Sequence, residues 1–379
     1  MQNKSKKSKD FRVRVGPRFK TVVNTLFECN IETLARRYEI LANRYLINNG
    51  HKWTCQRLKD YYNLAIHVTL GIELPVIEFC KTTNSIPNDI LQFYPYLTSS
   101  NIGRKRAALT VLRLFQTIYC EVDKDTSTIE NPGPSEELFK DYEAFFDKIT
   151  YYYKEQFRPQ IRDEGLFTTA RSGPNGPGML ELDKDFVAVC ESGLLDTIME
   201  LNDEISVICK SGSGREVKVA ESFAPEYDKF MNPKHEIGRA PRFIRKMEMY
   251  ESVSNFRAWR EELDPECYYD VRTSKIGFIS EGGCKTRVFA IGDYFSQDAL
   301  KPIHKDLYRL LNKLSTDGTS SHNRISDLVR EKTSKGLAVW SYDLTAFTDR
   351  YPIFIQERVL AILYTPRLAS LWRKILTDR

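Results

Sequence analysis

The stretch AVWSYDLTAFTDRYPIF, residues 338–354, decides how this chain is read. An apolar run rich in strand-forming residues, LAVWSYD from Leu337, stops on a carboxylate, Asp343. A second carboxylate, Asp349, follows six residues later, ahead of Pro352 and the run PIFIQERVLAILY, which reads as a helix with proline near its start. A carboxylate at the end of a buried strand is either a ligand for a hard divalent cation beside phosphates or the opening of a turn. Asp349 either accepts a hydrogen bond from a ribose hydroxyl or favours the positive end of the following helix. Neither residue decides between its readings alone.

Working back from this stretch, STDGTSSHN reads as a turn, SDLVREK as a short helix and SQDALKPIHKDLYRLLNKL as a longer one. From about residue 270 the texture is β-rich: KIGFIS and RVFAI flank EGGCKT, the pattern of a hairpin. Lys285 and Arg287 alternate with Thr286 and Val288, so on a strand both cations share one face. Two fixed positive charges suit a triphosphate or a nucleic-acid backbone; a solvated edge strand, where lysine is common, is the bland alternative. EGGCKT is not a phosphate-binding P-loop. That loop needs glycine directly before the lysine and again five residues earlier, and Cys284 and Ile279 hold those places. No H-E-x-x-H or G-x-S-x-G occurs, the adjacent Ser321 and His322 read as a polar turn, and Thr345 excludes a D-x-D phosphatase nucleophile at Asp343.

The N-terminal half is helical in character. IETLARRYEILANRYLI, CQRLKDYYNLAIHVTLGIEL and GRKRAALTVLRLFQTIYCEV carry apolar residues at helical spacing, and LFKDYEAFFDKITYYYKEQF is a further amphipathic helix after the Pro/Gly loop STIENPGPSEE. ARSGPNGPGML and KSGSGREVK read as loops. The 379 residues, with 41% hydrophobic and 12% aromatic content, suffice for two or three domains with real cores. No run is long and apolar enough to span a membrane and no secretory signal opens the chain, so the expectation is an intracellular, non-secreted protein. The eight cysteines form no C-x-x-C and no zinc pattern, and are expected to be reduced thiols. The formal net charge of +5 is a property of the first twenty residues, which hold eight Lys or Arg and one Asp and carry +7, leaving −2 for the rest. Such an arm either neutralises RNA phosphates or is a solvated end; as a mitochondrial presequence it lacks the usual Arg content and apolar spacing.

Taken in order, GGCKTRVFAIGDYFSQDALKPIHKDLYRLL, STDGT and WSYDLTAFTDRYPIFIQERVL resemble the RNA-dependent RNA polymerases of mitoviruses and their narnavirus-like relatives. That family shows a G-K-x-R-x-x-A-x-x-D-Y-x-x-Q-x-x-L-K-P-x-H block (motif F), a T-D-G-T segment and D-L-S-x-A-T-D-R-x-P-x-x-x-Q (motif A). The resemblance spans residues 282–360, and SGPNG at 172–176 is similar to an upstream family segment. Departures are Cys284, Phe347 and the SSHN after T-D-G-T; residues 1–160 offer no motif.

The resemblance implies an α+β right-hand polymerase fold, incomplete here: a basic arm (1–20), a mostly helical N-terminal and fingers region (21–235), fingers with motif F (236–315) and the start of a palm with motif A (316–379). It implies template-directed RNA synthesis from nucleoside triphosphates in replication of a viral genome. Asp343 would be catalytic and bind Mg2+ or Mn2+, Asp349 would contact the nucleotide 2′-hydroxyl, and Lys285 and Arg287 would hold the triphosphate. No individual chemistry is assigned to Asp293, Tyr294 or Gln297. The implied partners are an RNA template and product and, since no Gly-Asp-Asp occurs, a C-terminal polymerase portion or a second chain. The implied location is the host mitochondrion, where UGA is commonly read as tryptophan, so an early stop after Arg379 in the standard code is the expectation. The alternative is a catalytically inactive RNA-binding fragment or one half of a split polymerase.

Overall fold

The computed structural model describes residues 25–27, 30–78, 80–121, 123–131, 133, 135–162, 173–177, 181–212, 242–344 and 347–378; the basic arm, Ser172 and residues 213–218 of the second Gly/Ser loop lie outside them. The described chain is mostly helical with two two-stranded sheets, compatible with the α+β class. It divides into two compact units, Met1–Asp125 with Phe278–Phe289, and Thr126–Gly277 with Ala290–Arg379.

In the first unit a long helix, α1 (Glu32–Leu70), merges two of the expected helical runs and breaks only at Gly50, whose φ of 79° is a conformation that glycine adopts without steric cost. Gly71 ends it in the left-handed conformation, its N–H returning to the last turn. A minimal hairpin, β1 (Thr82–Thr83) and β2 (Ile86–Pro87), leads to the short α2 (Tyr94–Leu97) and to α3 (Ile102–Leu112). Asn101 caps α3, accepting from Gly103 N and Arg104 N. The run beyond Leu112 tightens into a 3-10 turn, Arg113–Thr117, rather than continuing as α-helix. Tyr38, Leu58, Tyr61, Leu64, Phe93 and Leu112 fill the core, with Tyr38 edge-on to Phe93. Burying each of the Leu and Phe side chains stabilises the unit by about 1.5–3 kcal/mol.

The second unit runs through α4 (Ser127–Glu130), α5 (Glu136–Phe157), α6 (Leu182–Glu191), α7 (Leu194–Gly212), α8 (Arg242–Leu263), α9 (Tyr294–Leu311), α10 (His322–Ser334), α11 (Phe347–Arg350), α12 (Ile353–Leu363) and α13 (Pro366–Thr377). Its core joins Phe186 of α6, Ile198 and Leu201 of α7, Phe295 and Ile303 of α9, and Leu368 and Leu371 of α13. Phe186, Tyr250 and Phe295 meet as a tilted aromatic trio. Asp183, buried at the start of α6, takes both Arg260 Nη1 (3.0 and 3.1 Å) and the Tyr268 hydroxyl (2.6 Å), fastening α6 to α8 and the turn after it. In the same unit α5 packs Phe139 edge-on to Phe354 of α12, and Arg358 pairs with Asp147 and Glu143.

Two expectations are corrected. The run 337–343 is not a strand: Leu337 to Leu344 is irregular backbone, with Trp340 78% and Tyr342 85% exposed. Strand propensity needs a neighbouring strand to take the backbone N–H and C=O groups, and among the described residues none lies alongside. The cysteines are not all free either, because Cys120 and Cys284 form a disulfide, while Cys55, Cys80, Cys190, Cys209 and Cys267 remain thiols.

Candidate functional site

The hairpin expected around EGGCKT is present as β3 (Ser274–Glu281) and β4 (Lys285–Gly292). Exposure alternates along β4, with Lys285 and Arg287 exposed and Thr286 and Val288 half-buried, so the two cations do share one face. Glu281 on β3 holds the Arg287 side chain at 2.6 Å and pushes its guanidinium pKa further up through that hydrogen bond. The tip of the hairpin is anchored within the first unit. Gly283 N and Cys284 N donate to Ile118 O (2.8 and 3.1 Å), Ser280 Oγ donates to Cys120 O, Asp123 N donates to Thr286 Oγ1, and the Cys120–Cys284 bond closes the contact. The glycine at 282 has a steric cause: a Cβ there would sit 1.7 Å from Gln116 O. The basic pair therefore stands exposed on a strand whose turn is fixed, with the Arg287 guanidinium shared with Glu281.

Asp343 and Asp349 belong to the second unit. Asp343 is exposed on the irregular segment. Asp349 lies in the first turn of α11 and accepts from Thr128 Oγ1 of α4 at 2.9 Å, so its carboxylate already takes the donor type a ribose hydroxyl would supply. The T-D-G-T segment folds on itself, Asp317 accepting from Thr319 N and Thr319 Oγ1 (2.8 and 3.1 Å), the side-chain turn expected of aspartate. Among the described residues no group of three or more His, Cys, Asp or Glu side chains is placed to hold a metal ion. Mg2+ keeps its water unless several oxygens converge in near-octahedral geometry, so Asp343 with its described surroundings does not by itself fit one.

Asp293, Tyr294 and Gln297, which carried no assignment, are structural. Asp293, fully buried, caps α9 by accepting from Ser296 N at 2.7 Å; Tyr294 is buried beneath Phe295; and Gln297 Nε2 donates to Gly292 O, the last residue of β4. Sequence reasoning missed Asp185, which accepts from Tyr294 N, and gave no role to Asn175 of the SGPNG segment, which donates to Asp185. The available signal was a pair of aspartates, Asp183 and Asp185, either side of Lys184 in the first turn of α6 and directly ahead of the apolar run Phe186–Val189. Burial first of all, and then the nearby Asp293 charge, raise the Asp185 carboxyl pKa to about 6, against hydrogen bonds from Tyr294 N and Asn175 and the charge of Lys275, which lower it.

Residues 159–379 match the family model of the Mitovirus RNA-dependent RNA polymerase, more than half of the chain, and the chain belongs to that family. It is also similar to the RNA-directed RNA polymerase of Cryphonectria parasitica mitovirus 1 (strain American chestnut tree/New Jersey/NB631), 32% identical over 106 residues. That alignment covers 27% of this chain and only 13% of the relative. No solved structure matches. No helix among the described residues is long and apolar enough to cross a membrane.

Proposed function

We propose that the chain serves template-directed RNA synthesis from nucleoside triphosphates in replication of a mitoviral genome, contributing the fingers with motif F (236–315) and the start of the palm with motif A (316–379). The observation that carries this reading is that the family match contains both the basic hairpin and the 338–354 stretch, and that Lys285 and Arg287 stand exposed on one face of a fixed hairpin. Lys285 and Arg287 hold the triphosphate and neutralise charge on the departing pyrophosphate. Asp349 accepts the nucleotide 2′-hydroxyl, the group that separates RNA from DNA precursors. Asp343 would be one of several carboxylates holding Mg2+ or Mn2+, which when bound would supply electrostatic stabilisation of the transferring phosphoryl group. Further carboxylates come from a C-terminal polymerase portion or a second chain. The partners are an RNA template and its product, and the location is the host mitochondrion.

The test is RNA synthesis on a defined template. The 379-residue chain alone makes no product, whereas a polymerase completed with a Gly-Asp-Asp segment does, and loses it on Asp343→Asn. Loss of a charge-assisted contact worth about 1.5–3 kcal/mol weakens nucleotide use roughly 10- to 150-fold in Lys285→Ala or Arg287→Ala. Synthesis by the isolated chain, or full activity in the Asp343→Asn protein, overturns the reading.

A further inference from the structure

The basic hairpin has a tip and a root, and the root is held by two side chains that no motif assigns. Residues Gly173–Pro177 form a tight loop closed by Gly173 N donating to Gly176 O. Its apex residue, Asn175, binds the backbone of Arg272 from both sides, accepting from Arg272 N at 2.8 Å and donating through Nδ2 to Arg272 O at 2.9 Å. Arg272 lies two residues before β3. The same Nδ2 donates to Asp185 Oδ1 at 2.7 Å, and Asp185 Oδ2 accepts from Tyr294 N, two residues beyond β4, at 2.9 Å. Asp293 N donates to Thr273 O at 2.9 Å and completes the closure. One amide and one carboxylate thus bridge the entry and the exit of the hairpin. The bridge is buried at its Asp185 end, with Asp185 2% and Tyr294 5% exposed, and half-buried at Asn175. It also explains Gly173, where a Cβ would sit 3.0 Å from Asp185 Oδ2.

We propose that Asn175 and Asp185 are a positioning pair for the nucleotide-binding hairpin: by joining Arg272 to Tyr294 they fix the root from which the strand bearing Lys285 and Arg287 rises. The proposal rests on the triphosphate reading of that strand. A carboxylate suits this task because it is an acceptor only and can take two donors at once, one from the loop and one from the start of α9. An asparagine opposite it is needed because its single side chain offers both donor and acceptor to the Arg272 peptide group, as a neighbouring strand would. Neither residue touches the ligand, so their effect is on the geometry of those that do.

The experiment uses the full chain with a photoreactive thiouridine triphosphate, crosslinks mapped by peptide mass, and site-resolved amide exchange at Arg272 and Tyr294. Wild type is expected to label on residues 285–289. Asn175→Asp places two carboxylates face to face, and Asp185→Asn turns one amide donor against another. Each is expected to speed exchange at both amides and to lower labelling about fivefold or more, the scale of one net hydrogen bond. The combined N175D/D185N protein restores one donor facing one acceptor between positions 175 and 185 and leaves Tyr294 N an acceptor, but it leaves Arg272 O without its side-chain donor, so labelling is expected to recover in part, to at least about twofold above either single variant. That recovery is a readout a merely weakened fold does not produce. Should D185N fail to fold, Asn175→Ala, at a half-buried loop position, carries the same expectation. Faster exchange with undiminished labelling overturns the positioning role and leaves the triphosphate reading standing; unchanged exchange in both single variants overturns the bridge itself. Absence of wild-type label on β4, or label unaffected by Lys285→Ala and Arg287→Ala, overturns the triphosphate reading and the proposal with it.

Discussion

Replacing both Cys120 and Cys284 by serine removes a crosslink between residues 164 positions apart, and the cost depends on what unfolds between them. If the whole intervening chain unfolds at once, loop-closure entropy puts the loss at about 5 kcal/mol at 25 °C. If the second unit stays folded while the first opens, its segment Thr126–Gly277 acts as a stiff bridge, and roughly a dozen residues remain to be restrained. The loss is then about 3 kcal/mol. Four contacts at the hairpin tip survive the substitution, since Gly283 N, Cys284 N, Ser280 Oγ and Asp123 N bond to groups other than sulfur. The variant should therefore fold with the turn still seated against Ile118. The assay is amide exchange in a urea series, following peptides from α1 and α3 for the first unit and from α9 and α13 for the second. It is run without reductant, because glutathione-like pools reduce accessible disulfides. A first-unit loss near 3 kcal/mol with an unmoved second unit gives independent unfolding; a loss near 5 kcal/mol shared by both gives a single transition. Two results refute the reasoning: alkylation of both cysteines in unreduced wild type, or a double-serine protein within about 0.5 kcal/mol of it.

Two further outcomes are expected. Glu281→Gln releases Arg287 from its exposed ion pair, so single-stranded RNA affinity at low salt should rise about two- to fivefold and the slope of log K against log salt should steepen by about 0.7; an unchanged slope would show that Arg287 takes no phosphate. Asp185 has a folded pKa of about 6 against an ordinary value of 3.8. For an acid raised in this way the folded state holds the extra proton, so its contribution is fully favourable below about pH 4 and is lost as the pH rises through about 6. Urea titrations at intervals across that window should show wild type losing stability relative to Asp185→Asn by roughly 2–3 kcal/mol, and parallel curves would contradict it.

Much of this architecture was legible because its signals are local. The hairpin follows from two β-rich runs around a glycine pair, α5 and α12 from helical spacing, and the shared face of Lys285 and Arg287 from the two-residue period of a strand. What escaped is non-local. Asn175 meets Arg272 across 97 positions and Asp185 meets Tyr294 across 109, and no periodicity in either segment announces the meeting. The disulfide escaped for the same reason, and redox context argued against it. The 337–343 run failed in the opposite direction, because strand composition reports the wish for a neighbour and not its presence. The carboxylates at 343 and 349 were visible from composition and order, whereas the hydroxyl of Thr128 that meets Asp349 was not.

The open 337–344 segment has a colloidal consequence. Between Gly336 and Thr348 the only charged side chain is Asp343, and it sits among Leu337, Val339, Trp340, Tyr342 and Leu344, all exposed. Short windows of this kind, strand-prone, apolar and weakly charged, template intermolecular β-pairing, and a single embedded charge is what interrupts them. The carboxylate proposed for catalysis therefore also acts as the gatekeeper of this exposed apolar stretch. Neutralising it by substitution to asparagine removes that interruption. Under the proposed role of Asp343, any loss of synthesis in such a protein then has two sources, the removed carboxylate and a shrinking soluble fraction, and Asp343→Glu, which keeps the charge while moving the oxygens, separates them.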